Sequence, residues 1–211
     1  MRKASDGRAT EDDQVERRCE HGVRDVGALA RRVADGCLRL GRRPSECPAA
    51  EHLSSASLYG AFGSKKALFE RALAHHVAGP GRVSEIVGDP TLGPITALTC
   101  MLFDTIYIQS DPSHPRGCLV ANSATVGATG DDDVDARRIV AARRADDRAR
   151  IEDCLRRGIT VEALRADLDA GSAALVVHSF VLGISTQVLD GVGAESLHAS
   201  ARTIVDGTRA H

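Results

Sequence analysis

The chain has 211 residues, 43% of them apolar and 27% charged, which is enough to bury a real core in one or two globular domains and excludes a wholly disordered chain. A net charge of -2 argues against a protein that coats nucleic acid along its whole surface, and no stretch has the ~18 continuous apolar residues of a membrane span. The charge is uneven: residues 1 to 79 hold 14 Lys and Arg against 11 Asp and Glu, while residues 80 to 211 hold 13 against 18, so DNA contact, if made, belongs to the front end.

The opening MRKASDGRATEDDQ is polar and lacks the apolar run of a secretory signal. The six cysteines are scattered with no C-x-x-C pair, which predicts a reduced, cytoplasmic protein. No cofactor and no metal are expected. His75 and His76 are adjacent on a predicted helix and point to different faces, and Cys19-x-His21 has no second pair at zinc-ligand spacing.

From Val15 to Leu40, apolar residues at three- and four-residue steps predict a helix weakened by Gly22, Gly27 and Gly36. The stretch RRPSECPAAEHL follows, and Pro44 and Pro48 restrict any helix there to a short piece, Ala49 to Leu53, for which Pro48 is a legitimate first-turn residue.

Ser54 to Val77 reads SSASLYGAFGSKKALFERALAHHV and holds three of the six aromatic residues. Ser54 or Ser55 caps a short helix that Gly63 stops after Phe62, and Ser64 caps a second helix carrying Leu68, Phe69, Leu73 and Val77. Leu58 and Phe62, at i and i+4, must pack inward, which leaves Ser55, Ser57, Tyr59 and Gly60 facing outward on a surface suited to entering a groove.

SLYGAFGSKKALFERAL closely resembles the recognition helix and the start of the next helix in tetracycline-repressor-like (TetR) transcriptional regulators. The match runs over about seventeen residues, with the small, aromatic, glycine and lysine positions in register. The resemblance implies a helix-turn-helix whose second helix enters the DNA major groove, with the tyrosine and the lysine after the turn on phosphates. Carried across, the DNA-contacting set is Ser54, Ser55, Ser57, Tyr59, Gly60 and Lys65. Residues 15 to 53 depart from the family pattern, since its first helix usually ends in an aromatic, glycine, aromatic run that is missing here. Plain divergence and a compensated reading-frame shift both account for an Arg-, Ala- and Gly-rich, aromatic-free stretch.

Beyond Val77, AGPGRVSEIVGDP reads as a Gly/Pro-rich turn region. A helix with Ile95, Leu98, Leu102, Thr105 and Ile106 on its apolar face then runs to about Ser110. Gly117 to Ala124 predicts a short buried helix, and RGCLVANSA also resembles a segment of TetR ligand domains. Asp131 to Asp133 open a long helix through Arg157, with acids where the helix dipole favours them and sparse apolar positions that leave one face solvated. Val161 to Leu168 is a short amphipathic piece. The stretch AGSAALVVHSFVLGISTQVLDG is apolar almost all round and must be buried on every side, and a last amphipathic helix carries Leu197, Ala201, Ile204 and Val205.

The sequence thus predicts an all-α fold: a helix-turn-helix DNA-binding domain over residues 1 to 78 and a helical regulatory and dimerisation domain over 79 to 211. The expected function is a transcriptional regulator, a repressor that binds a palindromic double-stranded operator as a homodimer and is released by a small-molecule inducer. The alternative is a helical ligand-binding dimer whose DNA-binding end has degenerated. A third reading, an enzyme with Cys118 as nucleophile near His114, lacks an orienting third group. The inducer pocket is placed among Met101, Leu102, Thr105, Cys118, Asn122 and His178, because Asn122 and His178 are polar groups on otherwise apolar stretches. The dimer contact is placed on Leu175, Val176, Phe180, Leu182, Val188, Leu197 and Ile204, whose helices carry more apolar surface than one small domain covers.

Overall fold

The computed structural model describes residues 65–112, 116–123 and 131–210. They form six α-helices: α1 (Lys65–Ala78), α2 (Pro94–Ser110), α3 (Leu119–Asn122), α4 (Asp131–Thr160), α5 (Ala170–Leu189) and α6 (Ala194–Asp206), with a 3₁₀ helix (Pro80–Gly88) between α1 and α2. The fold is all-α. The β pairing among the described residues is one isolated antiparallel bridge, Leu164 to Arg209.

Six of the predicted helices form close to their expected ranges, and the Gly/Pro-rich region after Val77 does not stay a simple turn. Pro80 suits a first helical turn because its missing N–H would have no partner there. Val83, Ile86 and Val87 then fall at helical steps and pack on the core, with Val87 1% exposed. Burial of those side chains outweighs the turn-forming composition. Asp169 caps α5 by accepting the Ser172 N–H at 2.6 Å. Gly191, at φ 85°, supplies the left-handed residue after the end of the same helix.

α2 is the central helix. Leu98, Met101, Leu102 and Ile106 are each no more than 1% exposed, and they meet Ile151 and Leu155 of α4, Val177 and Ile184 of α5, and Leu197 and Ala201 of α6. A second cluster joins Phe69 and Leu73 of α1 to Leu119, Val120 and Val140, fastening α1 to α3 and α4. The sparse apolar residues of α4 suffice because they fall on one stripe, and Arg157 on that helix donates to the Val87 carbonyl at 2.7 Å. Gly158 allows the chain after α4 to fold back closely, since a Cβ there would lie 2.6 Å from the Leu164 side chain.

Leu175 and Val176 of α5 are 57% and 59% exposed in the protomer, apolar surface that the sequence reading gives to a second subunit. Val188 and Leu197, assigned from sequence to the dimer contact, lie in the protomer's own core at 4% and 3% exposure, because they sit on the inward stripes of α5 and α6. Among the described cysteines, Cys118 and Cys154 are free thiols.

Candidate ligand cavity and DNA-binding segment

A cavity of about 60 Å³ lies between α1, the 3₁₀ helix, α2, α4 and α5. One water needs about 10 to 15 Å³ of such space, so the cavity holds several waters or a small ring compound. α2 supplies Met101, Thr105 and Ile108 on one stripe, with Gln109 beside them; α4 supplies Arg143, Asp147 and Ile151 at successive turns; α5 supplies His178, Val181 and Leu182. His76, in the last turn of α1, and Cys118, just before α3, complete the wall.

Most polar groups at the cavity are committed to one another. Arg143 forms an ion pair with Asp147 at 2.9 Å, donates to Ser84 Oγ at 2.8 Å and reaches the Gly81 carbonyl at 3.2 Å. The Ser84 hydroxyl donates to Asp147 Oδ1 at 2.7 Å, closing a triangle in which the two charges cancel. The Thr105 hydroxyl donates to the Met101 carbonyl at 2.7 Å. Cys118 is held through its backbone N–H, which donates to Ser185 Oγ at 2.9 Å, and its Sγ lies 3.5 Å from His76 Nε2. Arg144 donates through Nε to the Val120 carbonyl at 3.2 Å, and burial pulls its guanidinium below the usual range.

His178 is 4% exposed, and burial lowers its pKa below the ordinary histidine value, so the imidazole is neutral at pH 7. Gln109 is 5% exposed, and its Oε1 is buried with no hydrogen-bond partner among the described residues.

Of the six residues assigned to a pocket from sequence, Met101, Thr105, Cys118 and His178 border this one cavity. Leu102 does not; it is fully buried in the main core. Asn122 does not either, because its Oδ1 accepts the Ser185 hydroxyl at 3.0 Å and so ties α3 to α5. Sequence reasoning missed His76, Gln109, Arg143 and Asp147. Arg143 and Asp147 stand four apart on a strongly charged helix and read as a solvated pair; only their position opposite Ser84 distinguishes them. The partner anticipated for Cys118, His114, lies outside the described residues, and the Cys118 sulfur has His76 Nε2 at 3.5 Å.

Ser54, Ser55, Ser57, Tyr59 and Gly60 lie outside the described residues, as do Pro44 and Pro48. Lys65 is the first residue of α1. Among the described dimer candidates, Leu175 and Val176 are exposed, Phe180 and Ile204 are half-buried, and Leu182 lines the cavity. Among the described residues no group of three or more His, Cys, Asp or Glu side chains could hold a metal ion.

No protein-family model matches the chain, and no curated protein matches it. Solved structures do. One is a cysteine-substituted TetR family transcriptional regulator, CifR, complexed with 26-bp double-strand operator DNA: it is 27% identical, with a TM-score of 0.73 over 89% of this chain and 98% of that one. A second CifR structure, again with operator DNA, is 27% identical with a TM-score of 0.69 over 94% of this chain and 97% of that one. A TetR transcriptional regulator from Chloroflexus aurantiacus, 19% identical, has a TM-score of 0.68 over 92% of this chain and 93% of that one, a likeness of fold.

Proposed function

From membership of the TetR family of transcriptional regulators, to which this chain belongs, we propose a ligand-released repressor that binds a palindromic operator as a homodimer. The protein is a DNA-binding transcriptional regulator and not an enzyme. Residues 1 to 78 are assigned to DNA binding, with Ser54, Ser55, Ser57, Tyr59, Gly60 and Lys65 on the operator, and residues 79 to 211 to ligand binding and dimerisation. The working compartment is the cytoplasm, where the operator is.

One observation carries the ligand-released part: the cavity touches His76, in the last turn of the helix whose first residue, Lys65, follows the proposed recognition segment. A guest in that cavity presses on the helix that leads to the DNA. If it binds better to the state in which α1 is displaced, it lowers operator affinity by the same factor.

α5 is 20 residues long with a mean hydropathy of 1.6, enough by length and composition to cross a membrane. It also carries buried His178 and Ser185, the latter bonded to Cys118 and Asn122, and these hold it in a helical bundle. Its exposed stripe is assigned to the second subunit.

The test is salt-dependent retardation of the intergenic DNA beside the protein's own gene, with sedimentation to count subunits. Binding that weakens steeply with salt supports the repressor. Pro44 and Pro48 motivate the second reading, a ligand-binding dimer with a degenerate DNA-binding end. That reading replaces the first if neither the native chain nor one with residues 42 to 53 rebuilt as a regular amphipathic helix retards this DNA at low salt.

A further inference from the structure

We propose that Gln109 is the specificity-determining residue of the cavity and that its side-chain carbonyl selects small, neutral, mostly apolar guests bearing one O–H donor. The inference rests on the regulatory reading of this cavity and adds the chemical class of the guest.

Gln109 sits in the last turn of α2, where its backbone carbonyl accepts the Gly117 N–H at 3.4 Å. That bond ties it to the chain segment entering Cys118. Its side chain is 5% exposed and borders the cavity, with Oε1 buried and no hydrogen-bond partner among the described residues. Buried polar atoms in folded proteins are nearly always satisfied, so an unsatisfied acceptor beside a cavity marks where a guest's donor belongs. Apart from the neutral His178 imidazole, which also lines the cavity, the competing polar groups are occupied. Ser84, Arg143 and Asp147 bond to one another, the Thr105 hydroxyl bonds to Met101, and Cys118 and His76 are in contact.

Two further features narrow the class. The Arg143–Asp147 pair leaves no net charge to balance an ionic guest, and an ion moved from water into this space would lose its hydration with no counter-ion. Met101, Ile108, Val181 and Leu182 offer an apolar surface for the body of the guest. A single six-membered ring with one hydroxyl matches the size and the charge of the cavity and places its one donor on the unsatisfied Gln109 acceptor.

The probes are phenol and anisole, which share a ring and differ in the O–H. Their affinities for the full-length protein are measured by ligand-observed NMR titration. The native chain should bind phenol about tenfold more tightly than anisole, the scale of one net hydrogen bond. In Gln109→Leu that ratio should fall to about one, through loss of phenol affinity with anisole little changed. Circular dichroism checks the fold, and Gln109→Met serves in the same role if the leucine variant does not fold. Equal affinities in the native chain, no binding of either probe, or a ratio that persists in both variants overturns the proposal. Operator retardation, measured on the same preparations without probe, separates the two readings. If the native chain fails to bind DNA, the repressor reading falls and the phenol preference still stands or falls alone. If Gln109→Leu retains DNA binding, the substitution has acted on the cavity only.

Discussion

Asp104 holds a carboxyl group on α2 at a point where the helix is buried on almost every side. It is 8% exposed, and burial pushes its pKa from 3.8 up to about 6. Desolvation disfavours the ionised form, so the folded state binds this proton more tightly than the unfolded chain does. The group does not weaken the fold below the unfolded value of 3.8; its cost grows as pH rises from there toward about 6 and is constant above. A shift of this size corresponds to on the order of 2 to 3 kcal/mol. Asp104→Asn, which cannot ionise, should therefore be more stable than the native chain by that order at pH 7.5 and nearly equal to it at pH 4. Urea denaturation at the two pH values checks this, and an equal effect of the substitution at both sinks it. Neither this carboxyl nor the Gln109 amide stands out in the sequence, where each is one polar residue on an apolar helix. What sets them apart is that α2 is enclosed by α4, α5 and α6, and enclosure is a tertiary property.

The elements divide by how far their own periodicity explains them. α1, α2 and α6 were legible because their apolar residues recur at helical spacing. The 3₁₀ helix was misread because local composition favoured a turn, while three apolar side chains aimed at the core decided otherwise. α5 was legible as an apolar helix but not as to which face each residue takes, since a helix apolar all round carries no directional signal. The structure resolves the faces. Ala174, Val177 and Val188 point into the protomer, whereas Leu175 and Val176 point out, a choice that only the packing of neighbours makes. This division sets up a paired prediction. Leu175→Asp with Val176→Asp should leave a folded, helical monomer in sedimentation at micromolar concentration, because the new charges meet water in the separated subunit. Val188→Asp should instead lose the fold at a cost of several kcal/mol, because its charge is buried with no partner. If the double variant stays dimeric, the subunit contact lies on another face.

At the scale of the whole molecule, the proposed DNA-binding segment and the proposed ligand cavity meet in α1. Its start follows the Ser54–Ser64 stretch that resembles a recognition helix, its middle packs through Phe69 and Leu73 on α3 and α4, and its end places His76 at the cavity. A rigid helix fastened at its middle links the two ends mechanically, and thermodynamics makes the link reciprocal: a guest that weakens operator binding tenfold is itself bound tenfold more weakly by the DNA complex. The charge balance agrees with proposed phosphate contacts at the same end, since residues 1 to 79 carry 14 basic against 11 acidic side chains in a chain whose net charge is -2. Lys65 and Ser57 should then separate two kinds of contact. Lys65→Ala removes a phosphate partner, so it should weaken binding to all DNA sequences alike and reduce the slope of log affinity against log salt by about one. Ser57→Ala should leave the slope unchanged and alter which operator bases are preferred, with discrimination shifting by about 1 to 3 kcal/mol at an affected position. Both are read by titrating labelled operator and scrambled DNA at several salt concentrations. If Lys65→Ala changes base preference and leaves the salt slope intact, the helix does not sit on the duplex as the resemblance implies. A guest-free cavity variant such as Gln109→Leu should match the native chain in both measurements, which ties any change seen in the other two to the DNA surface itself.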